Sequence, residues 1–294
     1  MFKRILCALL CLILAGSVFP ASVRAAAPEV TYDVYVESPA DCFFSSNSNI
    51  NQVEAGHFRA AAGKESIIQI YFRDPLLELD HWESVDLELN EEQSTNITLR
   101  FVMPANDVRL YPRTRESVCP FTDVSRDSWY YRGVMDAYKG GCMYGTSPTT
   151  FGPDEFADRA QTVAILKRLV AGAGGGGEDL HFEDVPEDRW FYKDVYWAVS
   201  AGVTYGISST EFAPYQPVTR AQFISMLYRA HRWIDGCEGP RPDVMFTDVP
   251  QNAYYREALS WALGQGLIFG RSQTIFDPNA PSTRAEIAAT LSRI

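Results

Sequence analysis

Three arginines stand where the electrostatics of a helix disfavours them. Arg159, Arg220 and Arg284 occur in "ADRAQT", "VTRAQF" and "STRAEI", each directly after a helix-capping Asp158, Thr219 or Thr283. Gln161, Gln222 and Glu286, three positions after the caps, complete a capping-box pattern, so each arginine is the first residue of a predicted helix. A cation there opposes the partial positive charge of the unpaired N–H groups, at about 0.3–1 kcal/mol. Anion recognition turns the cost into an asset: a guanidinium fork matches a carboxylate bidentately, and the helix-start N–H groups add donors. The alternative chemistry is internal, an ion pair from each arginine to an aspartate elsewhere in the chain.

Other arrangements with chemical potential fail on context. "GAGGGG" places Gly172, Gly174 and Gly177 in the dinucleotide-binding spacing, but a helical pattern precedes it where a strand is required. His57, His81, His181 and His231 are scattered without the spacing of a metal pair, and Glu91-Glu92 sits in a polar turn. No nucleophile elbow or Walker loop occurs. The sequence therefore predicts no catalytic residue, metal or cofactor, and the expectation is that the protein is not an enzyme.

The elements that must position the arginines follow from bulk properties and repetition. The chain has 294 residues, 46% of them hydrophobic, enough for two or three modest domains with real cores. A net charge of −11 argues against nucleic acid and anionic membrane as partners. Residues 1–26 read as a signal peptide: Lys3 and Arg4, an apolar run from Ile5 to Ala15, then small residues suited to cleavage near Ala25 to Ala27. Cys42, Cys119, Cys142 and Cys237 remain after cleavage, with disulfide pairing (Cys119 with Cys142 first) and free thiols both open.

From Phe121, Phe182 and Phe246 the chain can be laid on itself three times without a gap. Identical columns include Asp123, Asp184 and Asp248; Gly141, Gly202 and Gly266; Gly145, Gly206 and Gly270; and the F-x-P beginning at Phe151, Phe212 and Phe276. Each copy reads as helix, loop, helix. The first helix buries an i, i+3, i+4 stripe such as Val134, Ala137 and Tyr138, and a C-terminal glycine (Gly141 in copy one) stops it. One copy exposes too much apolar face to stand alone, whereas three share a helical core. "GAGGGGED" and "DGCEGPRPDV" read as flexible linkers.

These copies resemble S-layer homology domains over residues 119 to 294. The resemblance is carried by "FTDV", the aromatic eight residues later (Trp129, Trp190, Tyr254), the G-x-x-x-G turn, F-x-P and the Thr-Arg-Ala-Glu/Gln helix start. It implies an all-α pseudo-threefold assembly that binds anionic, often pyruvylated, secondary polysaccharide attached to the peptidoglycan of Gram-positive-type walls. It also implies glycan-binding roles for Arg159, Arg220 and Arg284 as carboxylate readers. Trp129, Trp190 and Tyr254 would be groove-lining rings, and Gly145, Gly206 and Gly270 would let the backbone approach the sugar. Asp158, standing where the family has Thr or Ser, puts an acid beside Arg159 and predicts a weaker first site.

Residues 27–115 differ in character. "TYDVYVE", "SIIQIYF", "SVDLELN" and "NITLRFVM" have strand length and β-forming content, predicting a small β-rich module. Its end, with Met103-Pro104-Ala105 and Asp107-Val108, is similar to internalin-type B-repeat surface modules. The expected whole is an α+β multidomain chain: signal peptide 1–26, β-rich module 27–115, and repeats at 119–171, 180–232 and 244–294. The expected function is a secreted cell-wall anchor whose partner is the wall polysaccharide. The alternatives are a surface-layer component that assembles with other surface proteins, or an anchor carrying an adhesin-like head.

Overall fold

The computed structural model describes residues 30–37, 42–174 and 182–294, and the signal-peptide reading and the centre of the first linker lie outside these residues. The chain divides into two compact units, Met1–Val118 and Cys119–Ile294.

The first unit is β-rich. Strands β1 (Thr31–Val36), β3 (Ile50–Glu54), β4 (His57–Ala61), β6 (Leu77–Ser84) and β8 (Val108–Glu116) form one sheet in the order β3-β4-β1-β8-β6. β2 (Cys42–Ser46), β5 (Glu65–Phe72) and β7 (Thr98–Val102) form a second in the order β2-β5-β7. β1 and β8 pair in parallel, Val34 opposite Val108. Alternation in β5 buries Ser66, Ile68 and Ile70 on one face, and both sheets contribute to a core that includes Phe58, Trp82, Leu99 and Leu110. "SVDLELN" is not the expected strand. Leu87 and Leu89 pack against the core from an irregular segment, and Asn90 then caps the short helix α1 (Glu91–Thr95) in a reciprocal box with Gln93. The alternating pattern there records a loop laid on the core, not a pleat.

The second unit holds three helix–loop–helix repeats: α2 (Tyr131–Lys139) and α3 (Arg159–Leu169), α4 (Tyr192–Ser200) and α5 (Arg220–Asp235), α6 (Arg256–Gly264) and α7 (Arg284–Leu291). Each first helix ends as expected, with Gly141, Gly202 and Gly266 in the left-handed region at φ of 70°, 68° and 68°. The principal helix pairings run between repeats: α3 packs on α4, α5 on α6, and α7 returns to α2. The last contact is so close that a Cβ on Gly133 would lie 2.7 Å from the Ala289 Cα. One apolar core draws on all three copies, from Val134 and Phe151 through Phe191 and Leu227 to Leu259 and Ile287.

Backbone hydrogen bonds join the repeats into a closed circuit. Ala157 N–H donates to the Ser282 carbonyl at 3.1 Å, Ser282 N–H to Val218 at 2.9 Å, and Val218 N–H back to Ala157 at 2.9 Å. The second linker is docked rather than flexible: Cys237 is buried, and the Glu238 carbonyl accepts from Gln265 Nε2 at 2.8 Å. The described start of the first linker is docked too, with Gly174 beneath the Trp233 ring and the Ala173 carbonyl accepting from Trp197 Nε1. Cys119 and Cys142, the pair the sequence put first for a disulfide, are not bonded to each other in this structure.

Candidate functional site: two rings of arginines

The capping residues act as the sequence predicts. Thr219 with Gln222 and Thr283 with Glu286 form reciprocal capping boxes, while Asp158 accepts from Gln161 N–H at 2.7 Å. The helix-start donors are not open to an anion. Arg159 and Ala160 donate their N–H groups to the Gln216 and Pro214 carbonyls, Arg220 and Ala221 to Ala280 and Pro278, and Arg284 and Ala285 to Glu155 and Pro153. Each helix start is thus consumed by the F-x-P loop of another repeat, which overturns the premise of free N–H groups there.

The arginine side chains follow their backbones. Arg159, Arg220 and Arg284 are only 4%, 5% and 5% exposed. Arg159 Nε and Nη2 donate to the Phe212 and Tyr205 carbonyls at 2.9 and 2.7 Å. Arg220 reaches Phe276 and Phe269 at 3.0 and 2.7 Å, and Arg284 reaches Phe151 and Tyr144 at 2.8 and 2.6 Å. Each guanidinium also lies 4.5–4.7 Å from the centroid of the phenylalanine whose carbonyl it binds. Burial pushes all three guanidinium pKa values down, with the neighbouring Asp184, Asp248 and Asp123 acting the other way. These aspartates are electrostatic neighbours, but the direct partners are carbonyls and rings. Nη1 makes no hydrogen bond among the described residues.

The aspartate column explains the carbonyl positions. Both carboxylate oxygens of Asp123 accept backbone N–H groups, from Phe151 at 2.8 Å and Gly152 at 2.7 Å. Asp184 and Asp248 do the same for Phe212 with Ala213 and for Phe276 with Asp277. The residue after each phenylalanine is left-handed, at φ 69°, 59° and 62° for Gly152, Ala213 and Asp277, and the double acceptor holds that turn. Gly145, Gly206 and Gly270 have a packing role. A Cβ would lie 2.3–2.5 Å from the carbonyl of Ser147, Ser208 or Ser272, and 2.5–2.6 Å from the phenylalanine that opens the repeat.

A second ring of arginines was missed in the sequence. Arg168, Arg229 and Arg293 stand over the exposed rings of Tyr144, Tyr205 and Phe269 at 5.0, 5.5 and 5.2 Å. Those same three residues lend their carbonyls to the buried arginines. The signal was available: each outer arginine follows its buried partner by the same interval, in the same column of all three copies. Trp129, Trp190 and Tyr254 are 67%, 58% and 65% exposed, each edge-on to the aromatic residue that follows it, so none belongs to the core. Tyr254 lies within the field of both Arg159 and Arg229. The expectation of an acid beside Arg159 is corrected: Asp158 interacts with Arg284, because the Arg159 side chain leaves its own repeat for the next.

Comparison with known proteins matches this architecture. The S-layer homology domain model matches residues 120–163, 181–224 and 246–288. An endoglucanase of Bacillus sp. (strain KSM-635) is 30% identical over 183 residues, covering 62% of this chain and 19% of that enzyme. The surface-layer 125 kDa protein of Lysinibacillus sphaericus is 29% identical over 182 residues, 60% of this chain and 15% of its own length. A cellulosome-anchoring protein of Acetivibrio thermocellus is 22% identical over 147 residues, 49% of this chain and 33% of that protein. The chain thus spans a third or less of these relatives, and the enzyme matches through its S-layer homology region alone. Three copies of one motif, each latched to the next by a buried arginine, are three S-layer homology domains at residues 120–163, 181–224 and 246–288.

Proposed function

We propose that the repeat unit is a non-covalent wall anchor: a pseudo-threefold assembly that binds anionic secondary cell-wall polysaccharide, reading a ketal-linked pyruvyl carboxylate. The chain is a secreted cell-surface protein of a Gram-positive-type bacterium. The carrying observation is the arginine–aromatic cluster that recurs in all three repeats of a protein whose net charge is −11. An outer guanidinium supplies the carboxylate fork, the exposed rings of Trp129, Trp190 and Tyr254 offer faces for sugar stacking, and Nη1 of Arg159, Arg220 and Arg284 forms the cationic floor. Gly145, Gly206 and Gly270 contribute by keeping the loop flat against its phenylalanine. The β-rich unit is the cargo that the anchor holds at the surface, with the internalin-type module as its proposed kinship.

Sedimentation with isolated wall sacculi tests this. The mature protein pellets with intact sacculi and stays in solution with sacculi stripped of their secondary polymer. Equal pelleting with both, or none with either, overturns the reading. Self-association without glycan would favour assembly with other surface proteins, which the surface-layer relative supports.

A further inference from the structure

The three arginine–aromatic clusters share a plan but not a charge. Asp123, Asp184 and Asp248 are common to all, each engaged by two backbone N–H groups. Beyond them the surroundings diverge. Arg284 faces two further carboxylates, Glu155 and Asp158. Arg220 faces Glu286 and Asp277, and also Arg271, whose guanidinium is ion-paired to Glu286. Among the described residues, the groups whose field reaches Arg159 are one acid, Asp184, and the Tyr254 phenol.

The cause lies in the loops that cover the buried arginines. The loop over Arg284 carries Asp154-Glu155, the equivalent loop over Arg159 carries Tyr215-Gln216, and that over Arg220 carries Asn279-Ala280. Asp158 adds its charge to the Arg284 cluster across the repeat boundary, where Asp158 bridges to Pro217 and the adjacent Phe156 to Thr283. The outer arginines differ as well. Arg229 is half-buried whereas Arg168 and Arg293 are exposed, although each gives Nη1 to a carbonyl of its own repeat, Val203, Cys142 and Leu267. A partly buried guanidinium binds a carboxylate more strongly than a solvated one, and each nearby carboxylate repels an incoming anion.

We infer that the clusters are unequal, and that Arg159, Arg229, Tyr205 and Tyr254 build the principal anion site, which takes a sugar-borne carboxylate. The clusters of Arg220 and Arg284 are subordinate. This rests on the wall-glycan reading above and ranks the sites within it.

The test is the affinity of the full mature chain for intact wall sacculi, measured by co-sedimentation for Arg229→Ala, Arg168→Ala and Arg293→Ala, with helical circular dichroism as the folding control. The expected result is a loss of about tenfold or more for Arg229→Ala against about two- to threefold for the other two. The double variant Glu155→Gln/Asp158→Asn, which removes two acids from the Arg284 cluster, gains about twofold or more. An equal loss in all three single variants, or a largest loss at Arg168 or Arg293, overturns the ranking while leaving the wall-glycan reading intact. If Arg229→Ala fails to fold, unchanged binding by the double variant overturns it instead. Failure of the unaltered protein to sediment defeats the glycan reading itself.

Discussion

The inner and outer rings use one side chain for two purposes, and environment decides which. Arg159, Arg220 and Arg284 have lost almost all contact with water and spend two donors each on carbonyls of another repeat. Arg168, Arg229 and Arg293 stack on the outer faces of residues whose carbonyls the inner ring holds, and each gives one donor to a carbonyl of its own repeat. A buried cation is tolerated only when its donors are met, so the inner ring spends Nε and Nη2 on the fold. The outer ring keeps enough free surface for a carboxylate. Sequence reasoning saw the inner ring first because it broke a helix rule, and in the structure the side chains that break it latch one repeat to another.

The sharpest way to break this comparison is to remove one arginine from each ring. Arg284→Ala leaves the Phe151 and Tyr144 carbonyls without donors and opens the contact that returns the third repeat to the first. We expect a loss of about 3 kcal/mol in the denaturant unfolding of the helical signal, and Arg168→Ala a loss below about 0.5 kcal/mol. Equal losses would erase the distinction between the rings. Next in size is Gly145→Ala, which drives a Cβ to 2.3 Å from the Ser147 carbonyl and 2.6 Å from the Phe121 ring. A loss of about 1–3 kcal/mol follows if the column serves packing, again read by denaturant unfolding. Unchanged stability combined with lost wall binding would return these glycines to the ligand.

Much of the second unit was legible because its information is local and written three times. Thr219, Thr283 and the left-handed Gly141, Gly202 and Gly266 each act within one turn of their own position. The arginine partners were illegible because they are not local: Arg159 meets residues 46 and 53 positions away, and Arg284 residues 133 and 140 away. No spacing rule carries that information. The β-rich unit was read only in part for a related reason. β5 and β7 announce themselves by alternation, whereas the parallel pairing of β1 with β8 depends on a contact between the two ends of the unit. The proposed site was legible as residue types, in the arginine and tryptophan columns, but not as geometry. The Arg168 column escaped notice because a basic residue late in a helix already has an explanation in the macrodipole.

The smallest effect tests whether charge truly crosses from one repeat to the next. Burial raises the Asp158 carboxyl above its ordinary value of 3.8, in spite of the hydrogen bond from Gln161 N–H and the field of Arg284. A group whose folded pKa is raised holds its proton more tightly in the folded state. The stability that this one group contributes is therefore fully present below its ordinary value of 3.8 and is lost as pH rises through the folded value. Asp158→Asn keeps a competent cap and removes the titration. It should therefore stabilise the repeat unit at pH 7 by about 0.5–1 kcal/mol, a gain that shrinks toward zero as the pH is lowered to the ordinary carboxylate range. In an Arg284→Ala background the gain should be larger, because the mutant no longer offers Asp158 the one opposing charge that favours its ionised form. A gain equal in both backgrounds would mean that Asp158 and Arg284 do not interact, and would return the acid to the Arg159 side chain beside it in sequence.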